Sequence, residues 1–292
     1  MIRGFNRTVT QRIGALNTHY LGRNRPLVES RLLFEIGAGG VPVRDLRALL
    51  GLDSGFVSRT LRSLERHGLV TTIKPAGGDG RIRVAQLTAA GRTEVRKLNK
   101  LSDNLARSIL APLCTDQGER LVRAMAEVER LLRASAVELQ MERPSTRVSR
   151  WCLDRYFEEL AARFRNGFDP GLDGTPASEF APPQGHFIVA RLYGQPIGCG
   201  ALKRCDRHTG EIKRVWVAPQ ARGMGVGRRM VRELESIARS RRLQTIRLDT
   251  NESLTEARAL YASCGYREVG PFNDNPYAHH WFEKSVAPST RP

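Results

Sequence analysis

The sequence predicts an α+β chain of two domains: a helical N-terminal domain with one β-hairpin, and a mixed α/β C-terminal domain. Three observations carry this. At 292 residues the chain is longer than one hydrophobic core ordinarily sustains. Its first half orders short helices, a glycine-rich hairpin and then long helices. Its second half alternates strands with helices and sets a glycine-rich turn between one strand and the helix after it.

In the first half, apolar residues recur at helical spacing from Leu27 to Ile36, and Gly37-Ala38-Gly39-Gly40 ends that helix. A short helix over Val43 to Leu50 closes at Gly51. Asp53-Ser54 offers an N-cap for a helix over Gly55 to His67, stopped by Gly68. Val57, Leu61 and Leu64 form its buried stripe, leaving Ser54, Ser58, Arg59 and Arg62 to face solvent or DNA. Leu69 to Lys74 and Arg81 to Leu87 read as paired strands around a turn at Pro75 to Gly80, with Lys74, Arg81 and Arg83 about the tip. Long helices over Ala90 to Leu113 and Gln117 to Leu139 follow, and Pro144 breaks the chain within Met141 to Ser145.

Two short helices, a tight turn and a basic hairpin form a winged helix-turn-helix pattern. On Gly68-Leu69-Val70, Asp79-x-Arg81 and Leu87-Thr88-x-x-Gly91 it resembles the MarR family of regulators, over Phe5 to Leu139. The resemblance implies a DNA-binding and dimerisation domain over residues 1–141, with Asp79 bracing the wing and Arg81 reaching DNA. Ser54, Ser58, Arg59, Arg62, Lys74, Arg81 and Arg83 are the candidate DNA-binding residues. A homodimer would present two recognition helices to successive major grooves of a palindromic operator. The formal charge of +17 agrees with a polyanionic partner, although a solvated arginine-rich surface is a plainer source of the same excess.

The rest of the composition narrows the class further. With 40% hydrophobic residues the chain can bury ordinary cores, but it offers neither a bilayer-spanning stretch nor a leader peptide. Cys114, Cys152, Cys199, Cys205 and Cys264 are scattered without metal-site spacing and read as reduced thiols of a cytoplasmic protein. No metal is expected, since His279-His280 has no third ligand nearby in sequence.

The second half reads as a helix over Arg150 to Arg165, then a Gly-, Pro- and Asp-rich loop over Phe168 to Gln184. Strands follow at Gly185 to Leu192, Pro196 to Arg204 and Glu211 to Val217. A helix from Val226 to Ser240, a strand over Thr245 to Thr250 and a helix over Thr255 to Cys264 come next, before a hairpin of Tyr266 to Val269 and His280 to Lys284. The run from Pro219 to Arg229 connects a strand to a helix N-terminus, where free amides and the helix dipole bind phosphate. It lacks the Gly-Lys-Ser/Thr of a nucleotide P-loop, and Gly223-x-Gly225-x-Gly227 has the wrong spacing for a dinucleotide fingerprint.

Gln220-x-x-Gly223-x-Gly225, followed by Ala257-x-x-Leu260-Tyr261-x-x-x-Gly265-Tyr266, resembles the GNAT acetyltransferase family. The resemblance implies a GNAT-like domain over residues 146–286, its mixed sheet splayed near Val217, and acetyl-CoA as cofactor. Val215, Trp216 and Val217 would then hold the pantetheine arm. The pyrophosphate would lie on the amides of Arg222, Gly223, Met224, Gly225, Val226, Gly227 and Arg228, with Gln220 a further cofactor contact and Arg229 a further phosphate partner. Tyr261 matches the tyrosine that in many members serves as general acid toward the departing thiolate; a tyrosine that only packs and hydrogen-bonds the cofactor is the alternative. Many members have asparagine where this chain has Leu254, so that cofactor contact is missing or passes to Asn251.

Acetyl transfer to an amine needs a deprotonated amine, a polarised carbonyl and a protonated leaving thiol, but no covalent enzyme intermediate. Glu211 lies six residues before Val217, a spacing that puts both on one strand face. The spacing resembles that of the base in histone-acetylating members; a structural carboxylate paired to Lys213 or Arg214 is the alternative. Within the polar, aromatic run Phe272 to Trp281, Asp274, Tyr277 and His279 are candidates for framing the acceptor, unless the run is a self-bonded Asx turn. The expected function is a transcriptional regulator that also acetylates an amine, on a small molecule or a protein lysine. A regulator whose second domain only senses acetyl-CoA or an amine is the other reading.

Overall fold

Hydrophobic periodicity builds the N-terminal unit. In the computed structural model, which describes residues 1–74, 82–165, 167–172 and 175–286, this unit runs through α1 (Ile2–Arg12), α2 (Leu27–Ile36), β1 (Val41–Pro42), α3 (Val43–Leu50) and α4 (Ser54–Arg66). It continues with β2 (Val70–Ile73), β3 (Val84–Leu87), α5 (Ala89–Leu110) and α6 (Thr115–Ser135). The expected stripe Val57, Leu61 and Leu64 is buried, against Leu32, Leu33, Ile36 and Leu46. Asp53 caps α4 by accepting from Phe56 N at 2.8 Å. β2 and β3 pair antiparallel, Val70 opposite Leu87, and β1 adds a short third strand that the sequence did not announce. Asp79 and Arg81 lie outside the described residues.

The motif around Thr88 has a tight physical basis. Thr88 Oγ1 accepts from Gly91 N at 3.0 Å, capping α5, and donates to Gly68 O at 2.7 Å. It thereby ties the end of the hairpin to its beginning. Gly91 sits where α5 passes over the carbonyl of Leu69, so close that a Cβ there would stand 2.0 Å from that oxygen.

The chain divides into two compact units between Val128 and Glu129, within α6. The helix expected to reach Leu139 ends at Ser135. Val137 to Glu142, expected partly as helix and partly as linker, is instead β4 (Val137–Glu142), which pairs antiparallel with β5 (Gly185–Leu192). Its Val-Glu-Leu-Gln-Met-Glu order alternates with period two, a strand signal masked by the helical run before it. The expected boundary at 141 to 146 therefore falls after the first strand of the second unit. That unit continues with α7 (Arg147–Arg163), capped by Thr146, then β5, β6 (Gln195–Arg204), β7 (Thr209–Val217) and α8 (Val226–Ser240). It ends with β8 (Thr245–Thr250), α9 (Thr255–Ser263), β9 (Arg267–Val269) and β10 (His280–Ser285). The sheet order is β4-β5-β6-β7-β8-β10-β9. Among the described residues only β7 and β8 pair in parallel, joined by α8.

Two irregularities in β7 shape everything that follows. Its pairing with β8 covers only Thr209, Gly210 and Glu211, although both strands continue. Beyond Glu211 the two strands part and leave backbone groups of β7 without a ladder partner on that side. On the β6 side, Lys213 lies opposite Ala201 and Trp216 opposite Cys199, so one extra residue is inserted. Arg214 takes up that bulge at φ 59°.

Candidate acetyl-transfer site

The gap between β7 and β8 opens onto a cavity of about 670 Å³ walled by the glycine loop, α7 and α9. Val215, Trp216 and Val217 line it, as do Arg222 to Arg228 and Tyr261. Gly223 and Gly225 have φ of 77° and 74°, a region glycine enters without a Cβ penalty. Gly225 is also the N-cap of α8, and no side chain caps its first amides. An uncapped helix N-terminus at the end of a deep apolar cleft suits a pyrophosphate with a long thiol-bearing arm.

Several expected cofactor contacts need correction. Gln220 is exposed in the turn Pro219–Ala221 and does not line the cavity. Arg229 donates to Ala134 O and Val137 O, both at 2.9 Å, which braces α8 against the start of β4 instead of facing phosphate. Asn251 is spent locally: it donates to Tyr277 O at 2.8 Å and accepts from Ser253 N at 2.9 Å. It lines a second, smaller cavity, not the large one. Arg222 is on the wall, held at 2.6 Å by Glu159, which also accepts from Trp216 Nε1 at 2.9 Å. Arg163 pairs with Glu256 and donates to Ser253 O at 2.7 Å, so α7 grips both sides of the cleft. The hydrogen bond from Arg163 to Glu256 pulls the Glu256 carboxyl down to about 2.

Glu211 is displaced from its expected place by the bulge. An even spacing puts two residues on one face only in an unbroken strand. With one residue inserted, Glu211 and Lys213 share a face with Trp216, and Val217 lies on the opposite one with Ile212. Glu211 is buried, 3.0 Å from Lys213 Nζ, and accepts from Asn273 Nδ2 at 3.1 Å. It lines neither cavity.

The carboxylate at the gap is Asp249, on β8, which sequence reasoning missed. It accepts from Lys213 Nζ at 2.9 Å, Asn273 Nδ2 at 2.7 Å and Asn275 Nδ2 at 3.3 Å. It lines the second cavity, of about 60 Å³, together with Phe164, Phe168 and Tyr277. Those rings touch one another, with Phe168 and Tyr277 centroids 4.8 Å apart. Of the three residues expected to frame an acceptor, only Tyr277 lines this cavity; Asp274 and His279 are exposed and line neither. The Asx-turn reading also holds in part, since Asn275 Oδ1 accepts from Tyr277 N at 3.1 Å.

Tyr261 lines both cavities, as do Tyr156, Val215 and Leu254. It is buried, its ring 6.1 Å from those of Tyr266 and Phe282. Burial, reinforced by Tyr156, Asp249 and Cys264, pushes its phenol well above the ordinary tyrosine range. The hydroxyl therefore stays protonated at neutral pH.

A splayed sheet with a glycine-rich helix N-terminus at its opening defines an acyl-CoA-dependent N-acyltransferase. The family model for the acetyltransferase (GNAT) family matches residues 152–266, and that for the MarR family matches residues 22–82. An IAA acetyltransferase from Azospirillum brasilense is 36% identical over 126 residues, which are 43% of this chain and 77% of that protein. The N-alpha-acetyltransferase RimI of Mycobacterium tuberculosis is 33% identical over 115 residues, 38% of this chain and 71% of that one. A GNAT-family acetyltransferase from Staphylococcus aureus superposes with a TM-score of 0.46 at 16% identity, covering 52% of this chain and 99% of that one. The chain belongs to the GNAT acetyltransferase family, with a MarR-family region fused ahead of the catalytic domain, and its acyl donor is acetyl-CoA. Among the described residues no helix is long and apolar enough to cross a membrane.

Proposed function

We propose that the second unit acetylates a compact primary amine and that the first unit, as a homodimer, binds a palindromic DNA operator, in a cytoplasmic regulator with its own enzymatic activity. One observation supports the enzymatic half above the others. Two cavities meet at the β7/β8 gap, the larger beside an uncapped helix N-terminus, the smaller beside a carboxylate, with Tyr261 on both walls.

Acetyl-CoA, held by Val215 to Val217 and by the amides from Arg222 to Arg228, supplies the acetyl group. Asp249 attracts the acceptor's ammonium and takes its proton, directly or through one water. An alkylammonium with a pKa of about 10.4 is no nucleophile until that proton is gone. Lys213, Asn273 and Asn275 hold the Asp249 carboxylate in place. As the new C–N bond forms and the C–S bond breaks, Tyr261 donates its phenolic proton to the departing sulfur, and the second proton of the acceptor nitrogen restores the phenol. The small volume beside Asp249 favours an unbranched amine head over a bulky one. Asp249→Asn keeps the size and removes the charge, so it is expected to lower kcat/KM about 100-fold with acetyl-CoA affinity unchanged. Steady-state kinetics over an amine panel, with calorimetry for acetyl-CoA, checks this. Tight acetyl-CoA binding without turnover on any amine would instead favour the sensor reading.

The regulatory half rests on charge and unpartnered surface. Ser54, Arg59, Arg62, Lys74 and Arg83 are exposed, and Ser58 is half-buried beside them on α4. No residue of α1 is buried, and Val122 and Met125, in the part of α6 that belongs to the first unit, are exposed. Such apolar faces suit a second copy. Arg59→Ala and Arg62→Ala are each expected to weaken operator binding about tenfold. For a phosphate contact, the slope of log affinity against log salt drops by about 1. Electrophoretic shifts at several salt concentrations measure both.

A further inference from the structure

The second unit carries another concavity, of about 850 Å³, that among the described residues shares no lining residue with either cavity of the transfer site. It lies where the end of β4, the N-terminal turns of α7 and the beginning of β5 meet. Its wall is apolar at Pro144, Leu153, Ala181, Pro182 and Phe187. Three arginines stand on it: Arg143, Arg150 and Arg241. Among the described residues its one carboxylate, Glu142, is already neutralised, ion-paired to Arg191 and accepting from Thr146 Oγ1 at 2.9 Å.

A further wall residue is anomalous. His186 is only 8% exposed, and its Nε2 is buried without a hydrogen-bond partner. Buried polar atoms are nearly always paired, and an orphan is costly. His186 and Arg241 also line a neighbouring recess of about 310 Å³, so the imidazole stands between two concave surfaces. Burial, and then the charge of Arg241, lowers its pKa, which leaves a neutral ring able to donate or accept. The positive end of the α7 dipole adds to the arginines at the same wall.

We propose that this cavity binds a small organic acid, its apolar body against Leu153 and Phe187 and its carboxylate among Arg150, Arg241 and His186. The arginines supply charge-assisted donors, and the imidazole, once its ring turns toward the cavity, gains the partner it lacks. The site is connected to catalysis by one rigid element. Arg150 and Leu153 of α7 line it, while Tyr156, Glu159, Leu160 and Arg163 of the same helix line the acetyl-CoA cleft.

The test is fluorine NMR of 4-fluorobenzoate titrated against the full-length protein, with 4-fluorobenzamide as the uncharged control. Saturable broadening of the acid but not the amide is expected, with affinity about tenfold weaker in Arg150→Ala and in Arg241→Ala. Both side chains are exposed, so the variants should fold. Arg123→Ala, on α6, should bind as the parent does, and excess acetyl-CoA should not displace the probe. Equal binding of the amide, unchanged affinity in both variants, or an equal loss in Arg123→Ala would overturn the proposal. Displacement of the probe by acetyl-CoA would move the site to the transfer cleft and overturn it as well.

Discussion

Tyr261→Phe is expected to lower kcat for acetyl transfer by roughly 10²- to 10⁴-fold while leaving the fold and acetyl-CoA affinity nearly intact. The ring packs against Tyr266 and Phe282, and phenylalanine keeps those contacts. Among the described residues nothing hydrogen-bonds the Tyr261 hydroxyl, so its removal orphans no partner. The loss therefore falls on the step that protonates the leaving sulfur. The sign of the pH dependence follows from the direction of the shift. A phenol held above its usual range remains a proton donor throughout the neutral and mildly alkaline region. Any alkaline fall in kcat below about pH 10 then belongs to another group, and Tyr261→Phe should lower the whole profile without moving that limb. Unchanged kcat in the variant would remove Tyr261 as the acid.

Gly91→Ala is expected to destabilise the N-terminal unit by about 3 kcal/mol, at the upper end of ordinary overpacking. The added Cβ would stand 2.0 Å from Leu69 O and 3.0 Å from its carbonyl carbon. That carbonyl has little freedom to swing aside, because it accepts from Thr88 N at 3.0 Å and from Thr88 Oγ1 at 3.2 Å. Relief requires α5 to lift from the hairpin, which loosens Leu98 and the base of the wing. Gly118→Ala in α6 is the contrasting control: nothing lies within 4 Å of its Cβ position. It should raise stability by up to about 1 kcal/mol through helix propensity alone. Urea unfolding of both variants gives the comparison, and DNA binding should fall with Gly91→Ala before acetyl-CoA binding does.

Local chemistry made much of this legible. Asp53 before Phe56, Thr88 before Gly91 and the stripe Val57, Leu61, Leu64 each act within one or two helical turns, so their effect can be read along the chain. The same holds for the glycine loop, whose conformation depends on the φ of Gly223 and Gly225 and on the helix that follows. β4 was hidden because six alternating residues adjoin a helix of the same apolar density. β1 was hidden because two residues carry no periodicity at all.

The misplacement of Glu211 has a different cause. Counting even steps from Val217 assumes an unbroken strand, and the insertion at Arg214 reverses the faces on either side of it. Asp249 could not be found by spacing, since its partners come from β7 and from the turn before β10, 36, 24 and 26 positions away. His186 and Arg241 meet in the same way, across 55 positions in the numbering of the chain, from a strand start and a helix end.

By itself, then, the sequence determined the two-part organisation, the winged helix, the glycine loop at a helix N-terminus and the tyrosine beside it, because each is written in neighbouring residues. Only the tertiary structure decided which carboxylate faces the gap. That choice depends on a one-residue bulge and on where a parallel strand pair comes apart, and both are properties of pairing between strands that no single segment encodes.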